Sequence, residues 1–401
     1  MNNIKSVGQD CTACGVCSVV CPKSCIEYSL NSKKGTFAVS TNENLCIDCG
    51  KCLKVCPVLN TEANKRQETP LGKTQAAYAA FSKNAEIRRY AASGGFITSF
   101  LCFLLESEIC DGVLISHRDG VTGQSFIVKT TEEVISSKTS IYAPVDYSNG
   151  IKELSNTDCK KVAIVGLPCQ IQAVSNLEKI NRKVADKVFL KISILCGKTP
   201  TTYAYKYIAK IADFDYDRIS AVCNRGNGWP GFLEITHSEG QYKIPYRAFM
   251  SMGTVLSSPY LCNRGCLSCV DGVGLTADIV VCDAWTKKYT EQESDGWNFV
   301  LTKTQKADVL LHKNGIEKFI QVEDEIIENF YKANRRVIDK GAIGNAMRAK
   351  EHKIKGFFPR ASLKYKVHIA LLKLTTKLFF PAKITKAQLI GGGKIINKLK
   401  D

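Results

Sequence analysis

Eight cysteines near the start of the chain have a spacing that suits inorganic chemistry. Cys11, Cys14, Cys17 and Cys21 precede Pro22, and Cys46, Cys49, Cys52 and Cys56 precede Pro57. Both runs read C-x2-C-x2-C-x3-C-P. Thiolates are soft ligands that suit iron–sulfur clusters, and in this pattern the fourth Cys of one run ligates the other cluster. One 4Fe-4S cluster then takes Cys11, Cys14, Cys17 and Cys56, and a second takes Cys46, Cys49, Cys52 and Cys21. Pairs of the form C-x2-C also bind zinc. The doubled run with both prolines favours clusters, and a chain that holds them moves electrons.

More cysteines follow, 19 in all. Cys262, Cys266 and Cys269 form a C-x3-C-x2-C group, and Cys169 and Cys196 stand at the exits of two apolar strands. Single buried cysteines are commonly inert, and Cys25 reads as such a core residue. The group of three, with the two at strand exits, points to a third cluster. So many thiols behind a polar start, with no secretory segment, read as metal ligands rather than disulfides. They suggest a reducing cytoplasm.

The elements that must position these groups divide the chain. Residues 1–60 form an α+β ferredoxin-like dicluster module, wrapped by apolar residues that include Ile4, Val7, Val16, Leu45, Ile47 and Val55. Gly15 and Gly50 suit tight loops beside the clusters. Residues 61–73, polar and containing Pro70, read as a linker. A second domain runs over residues 74–354. Gln75–Phe81, Gly112–Ser116, Ser125–Lys129, Val162–Val165 and Val188–Leu195 read as strands. Residues 84–106 (broken at Ser93-Gly94-Gly95), 168–177 and 201–211 read as helices. This alternation predicts an α/β domain with a mixed sheet. Ser93-Gly94-Gly95 opens a helix, where backbone N–H groups can meet a phosphate.

At these residues the chain resembles the coenzyme F420 hydrogenase/dehydrogenase beta-subunit family, over roughly Thr74 to Lys313. The matching pieces are SGG at 93–95, DGV at 111–113, VGLPCQIQAV at 165–174, ILCGK at 194–198, NRGNGW at 224–229, GCLSC at 265–269, ADIVVCDAW at 277–285 and GWNFVLTKT at 296–304. A dicluster module ahead of this domain is a common fusion in that family. The resemblance implies a flavoprotein with FAD and one 4Fe-4S cluster in the second domain. Cys169, Cys196, Cys266 and Cys269 would ligate that cluster, with Cys262 as an alternative and Cys223 and Cys282 as outsiders. Ser93, Gly94, Gly95, Asn224, Arg225, Asn227 and Trp229 would lie along the flavin. Arg225, whose fork matches two phosphate oxygens, suits the pyrophosphate, or else is a surface charge. Asp278, Asp283 and Trp285 lie in a matched piece and have a structural alternative. Leu167 departs from the usual Thr, and Cys282 stands where Gly is frequent. Relatives with the fused module sit among enzymes of surface-polysaccharide synthesis, which implies a sugar-related substrate.

The formal charge of +17 is uneven, with eleven Lys/Arg against one acid, Asp401, from Lys355 onward. Lys366, Lys373 and Lys377 share a helical face away from Leu371, Leu374 and Leu378, and Pro381 ends the helix. Residues 355–401 therefore read as a basic amphipathic tail, either for an anionic membrane surface at the inner face of the membrane or for packing on its own domain or a partner. No apolar run is long enough to span one. Nucleic acid is not an expected partner, because basic residues are not interleaved with stacking aromatics on the globular part. His117, His237, His312, His352 and His368 form no triad, and Gly391-Gly392-Gly393 before Lys394 lacks the spacing of a phosphate loop.

Two functions follow. In one, a flavoenzyme passes single electrons from a ferredoxin-like or other redox donor through three clusters to FAD, then a pair to a small organic substrate. In the other, the chain is an electron-transfer subunit feeding a partner oxidoreductase, with no substrate of its own.

Overall fold

The computed structural model describes residues 3–64, 71–246, 255–258, 261–291, 294–313, 317–321 and residue 330. The tail expected at 355–401 lies outside the described residues. Among the described residues no helix is long and apolar enough to cross a membrane.

The N-terminal module is small. A 3-10 segment, Ile4–Asp10, leads into α1 (Val16–Val19), a hairpin of β1 (Ile26–Asn31) and β2 (Thr36–Thr41), and α2 (Lys51–Val55). The second domain continues with β3 (Ala76–Ser82), α3 (Ala85–Tyr90), α4 (Phe96–Glu106), β4 (Gly112–Asp119), β5 (Thr122–Val128) and α5 (Thr131–Ser136). Next come β6 (Val145–Asp146), α6 (Ser148–Asn156), β7 (Val162–Gly166), α7 (Pro168–Glu178), α8 (Arg182–Lys187), β8 (Val188–Ile194) and α9 (Thr202–Ala212). The last elements are β9 (Ile219–Cys223), β10 (Phe232–His237), β11 (Gly240–Pro245), β12 (Ile279–Asp283), α10 (Lys287–Thr290), β13 (Asn298–Thr302), α11 (Gln305–Lys313) and β14 (Glu317–Gln321).

Nine strands form one mixed sheet in the order β14-β3-β13-β12-β8-β7-β4-β5-β6. Its centre, β12-β8-β7-β4, is parallel. β3 runs the same way, because both β3 and β12 are antiparallel to β13. The carboxyl ends of five strands therefore share one edge, where ligands settle in open α/β sheets.

Side-chain alternation explains why the sheet is covered on both faces. Val113, Ile115, Ala163, Val165, Ile279 and Val281 pack with Phe96, Phe100 and Leu104 of α4 and Leu311 of α11. Their neighbours Leu114, Val162, Ile164 and Val280 pack with Ile151 of α6 and Ile171 and Val174 of α7. Val16 and Val55 of the module belong to this second core. Each such burial contributes roughly 1.5–3 kcal/mol. A smaller core joins α9 to the antiparallel sheet β11-β10-β9 through Tyr205, Ile208, Val222, Leu233 and Ile235.

The module is thus docked on the second domain. α1 packs on α6 and α7, and α2 on α7. The receiving face of α7 is polar: Gln172 Oε1 accepts from Glu62 N at 3.0 Å, and Asn176 Nδ2 donates to Asn60 O at 2.9 Å. These side chains are buried yet satisfied, as burial of a polar group demands. The polar stretch 61–73 contributes Leu71 to the core, at 1% exposure. Gly265 meets the module most closely, since a Cβ there would lie 2.3 Å from Cys11 O and 2.6 Å from Asp10 O. One expectation is corrected: Leu45 and Ile47 do not wrap the module, being 53% and 57% exposed. They flank Cys46 on a loop with too little chain outside it to cover them.

Candidate redox centres and a cofactor cavity

The thiols gather into three neighbourhoods. Burial pushes the Cys14 thiol up to about 12, with Cys56 and Cys11 adding to it. Burial, then Cys14, Cys11, Cys56 and Cys52, hold Cys17 well above its ordinary value. Cys11, Cys14, Cys17 and Cys56 are therefore within electrostatic reach of one another, across 39 residues or more of chain for Cys56. Gly15 and Gly50 cap α1 and α2 and deliver Cys17 and Cys52 onto those helices.

Cys21, Cys46, Cys49 and Cys52 line one small void together with Cys25, Asn3, Lys23, Ile47 and Lys51. Cys25 Sγ lies 3.2 Å from Cys21 Sγ, and Cys25 N donates to Cys21 Sγ at 3.4 Å. The ninth cysteine of the module is buried, as a packing residue would be, but at the lip of this thiol group.

The third neighbourhood belongs to the second domain. Burial, then Cys14, Cys269, Cys196 and Cys266, raise the Cys169 thiol well above its usual range. Cys169 opens α7 after Pro168, Cys196 follows β8, and Cys266 sits in the 3-10 segment Arg264–Ser268. Thr199 N donates to Cys266 Sγ at 3.4 Å, and Ala13 N to Cys11 Sγ at 3.4 Å. Such N–H···S contacts tune an iron–sulfur centre's potential. Cys223 is turned away and donates to Arg225 O at 2.8 Å.

Tyr147 is fully buried, and Cys169 and Cys14 both help burial raise its pKa. Among the described residues no three His, Cys, Asp or Glu close around a single ion. The high thiol values describe free cysteines, since a bound metal deprotonates a coordinating thiol outright.

At the carboxyl edge of the sheet lies a cavity of about 520 Å3, within the size range of small-molecule sites. Thr12 and Ala13 of the module line it, as do Cys169 and Cys196. The N-termini of α4 and α7 open onto it through Gly95, Phe96, Leu167 and Gln170. Lys138, Lys198 and the hydroxyls of Ser137, Thr139 and Ser140 add polar groups. Tyr142, Tyr246 and Trp285 supply ring surface. Helix N-termini with nearby lysines suit a phosphate, and the rings suit a planar heterocycle. This donor set fits a phosphate-bearing ligand with a planar ring.

Of the seven residues assigned to the flavin, Ser93 and Gly95 border the cavity. Ser93 Oγ is committed to Trp297 O at 2.7 Å. Gly94 lets its own loop lie against the paired strands β3 and β13, because a Cβ there would be 2.9 Å from Ala80 O and 3.0 Å from Asn298 N. Asn224 is buried, accepting from Arg118 and from Tyr142 N at 2.9 Å. Asn227 is exposed on its loop, and Trp229 packs on Trp285 with centroids 4.5 Å apart.

Arg225 is no surface charge, being 1% exposed. Its Nη1 donates to Asp283 Oδ2 at 3.0 Å, its Nε donates to Pro230 O at 2.8 Å, and the guanidinium lies 4.2 Å from the Tyr246 ring centroid. The fork expected to meet a pyrophosphate is turned to a carboxylate, and the NRGNGW segment supports the cavity wall from behind. Lys138, Lys198, Tyr142 and Tyr246 were not legible as site residues. Thr139 carried the one local hint, a polar SKTS stretch, and its φ of 107° is rare for a β-branched residue.

The fold and the site define an iron–sulfur protein of an oxidoreductase class. Residues 77–152 and 159–327 match the "Coenzyme F420 hydrogenase/dehydrogenase, beta subunit" N-terminal and C-terminal family descriptions, and residues 10–60 match "4Fe-4S dicluster domain". The chain belongs to the coenzyme F420 hydrogenase/dehydrogenase beta-subunit family, with a dicluster domain ahead of it. It is 32% identical over 257 residues to the F420-dependent formate dehydrogenase subunit beta of Methanocaldococcus jannaschii, covering 60% of this chain and 62% of that one. It is 23% identical to the coenzyme F420 hydrogenase subunit beta of Methanococcus voltae, over 61% of this chain and 82% of that one. Against the coenzyme F420-dependent sulfite reductase of M. jannaschii it is 28% identical, covering 42% of this chain and only 25% of that protein. A chain of the F420-reducing [NiFe] hydrogenase complex from Methanosarcina barkeri shares the fold, with a TM-score of 0.57 at 20% identity over 73% of this chain and 98% of that one.

Proposed function

We propose that this chain is an iron–sulfur electron-transfer subunit that carries electrons between its N-terminal module and the central cavity, and that it serves a partner oxidoreductase. The observation that carries this reading is the continuity of thiols. Cys14 of the module acts on Cys169, Cys169 is coupled to Cys196, Cys266 and Cys269, and Cys169 and Cys196 line the cavity.

In this reading Cys11, Cys14, Cys17 and Cys56 hold one 4Fe-4S cluster, Cys46, Cys49, Cys52 and Cys21 a second, and Cys169, Cys196, Cys266 and Cys269 a third. FAD in the cavity would supply exchange between single electrons and a pair. The α4 N-terminus at Gly95 and the lysines Lys138 and Lys198 would hold its phosphates, and Tyr246 and Trp285 would offer ring surface. Cys169, partly buried in the first turn of α7, stands between the module and the cavity. Coenzyme F420, named in the relatives, is a two-electron partner that such a cavity suits. The link to surface-polysaccharide synthesis rests on the resemblance and on no residue of this cavity.

Anaerobic purification tests the reading. Three 4Fe-4S clusters require about twelve irons per chain, together with one flavin. Cys169→Ser should remove about four irons and leave the module's signals. About eight irons without flavin in the wild type would leave a plain dicluster protein and refute the proposal.

A further inference from the structure

The two thiol groups of the module differ in cover, Cys49 being exposed in one and Cys14, Cys17 and Cys56 buried in the other. Cys14 acts on Cys169, and Thr12 and Ala13 line the cavity. The other group lies under a thin cover: Pro22, Lys23, Ile47, Cys49 and Lys51 all line its void and are all exposed. Leu45 and Ile47, on either side of Cys46, are the two most exposed large hydrophobic residues among the described ones. Adjacent exposed apolar residues at a chemically active site mark an interaction surface. The charged residues lining the void, Lys23 and Lys51, are both basic, and one exposed carboxylate, Asp48, lies between Ile47 and Cys49. Residues 1–60 carry six Lys against four Asp/Glu.

We infer that the surface formed by Leu45, Ile47, Cys49, Lys23 and Lys51 docks a small acidic protein that carries one electron. An apolar centre with a basic rim gives the short contact and electrostatic steering of transient electron-transfer encounters. Each encounter oxidises the carrier by one electron and reduces the module by one, and no bond or proton moves. Two encounters supply a pair. Electrons enter at the outward group and leave the module past Cys14. This inference rests on the proposed electron-transfer role, and names the entry point within it.

The experiment uses the anaerobic full-length holoprotein and stopped-flow reduction by a small acidic bacterial ferredoxin, with reduced methyl viologen as a small cationic control. In the wild type, the second-order rate with ferredoxin should fall as NaCl rises. Ile47→Glu with Lys51→Glu should slow ferredoxin by about tenfold or more and flatten the salt slope, while methyl viologen is not slowed. If that variant loses iron, Lys23→Gln with Lys51→Gln replaces it and should still flatten the slope. Charge reversal at Arg182 and Lys183, on α8, should leave ferredoxin unaffected. An unchanged ferredoxin rate in an iron-replete module variant would overturn the docking face. So would equal slowing by the α8 variant. Missing third-cluster iron or flavin in the wild type would instead count against the proposed function, so the two failures are distinguishable.

Discussion

Gly265→Ala probes the junction between the module and the second domain. The added methyl would sit 2.3 Å from Cys11 O and 2.6 Å from Asp10 O and Cys11 C, all backbone atoms. Ordinary van der Waals contact begins near 3.4 Å, so the two chains must part by about 1 Å. Gly265 precedes Cys266, and Cys11 lies across the gap, so the opening falls between thiols of two neighbourhoods. Gly265 has no left-handed backbone requirement, and the penalty is therefore steric. Overpacking of a tight contact costs about 1–3 kcal/mol, and even one or two kcal/mol is a factor of about 5–30 in the folded-to-unfolded ratio. Gly197→Ala is the control: it is near Cys196, yet a Cβ there meets nothing within 4 Å. Urea unfolding under argon should show a loss for Gly265→Ala and little change for Gly197→Ala, and stopped-flow should show slower electron passage to the cavity only in the former. Equal stability and equal passage in both variants would refute the docked geometry.

Other expectations follow from the same packing. Asp283 faces a guanidinium that is 1% exposed, so Arg225→Ala should lose about 3–5 kcal/mol, because removal of one partner strands the other charge. Pairing Arg225→Met with Asp283→Leu should recover much of that loss in a double-mutant cycle, and purely additive losses would contradict the pairing. Lys303 is buried, donates to Leu71 O, and is lowered by burial to about 8, against a raising influence from Asp271. Between pH 8 and 10.5 the unfolded chain keeps this proton and the folded one has lost it, so its contribution to stability rises with pH there. The shift corresponds to roughly 3 kcal/mol. The stability of Lys303→Met minus that of wild type should therefore fall across that window in urea titrations, and a constant difference would show that Lys303 titrates normally. The iron and flavin assay and the ferredoxin kinetics described above complete the set.

Much was written in one dimension. A thiolate run is a local signal, since the three cysteines of C-x2-C-x2-C are near in space because they are near in the chain. Gly15 and Gly50, in the left-handed region at φ 76° and 68°, make the turns that deliver Cys17 and Cys52 to helices. The alternation of strands and helices followed from hydrophobic period, and β4, β7, β8 and α7 fall within a residue or a few of the positions read for them. Val162 to Val165, an apolar run, reads as a strand, and the structure covers it on both sides.

Other properties depended on contacts between distant segments. Nothing near Arg225 in the chain announces Asp283, 58 residues away, which turns an apparent phosphate ligand into a buried ion pair. Gln172 and Asn176 are polar residues of α7 that are buried and bonded to Glu62 N and Asn60 O, segments more than a hundred residues away in the chain. Leu45 and Ile47 count as core by type, yet the loop around Cys46 leaves them in solvent. The amino-acid order determined which side chains can hold clusters. The packing of α1 and α2 on α6 and α7 decided which thiol group faces inward to Cys169 and which faces water, because direction is a property of surfaces that meet only once the chain has folded.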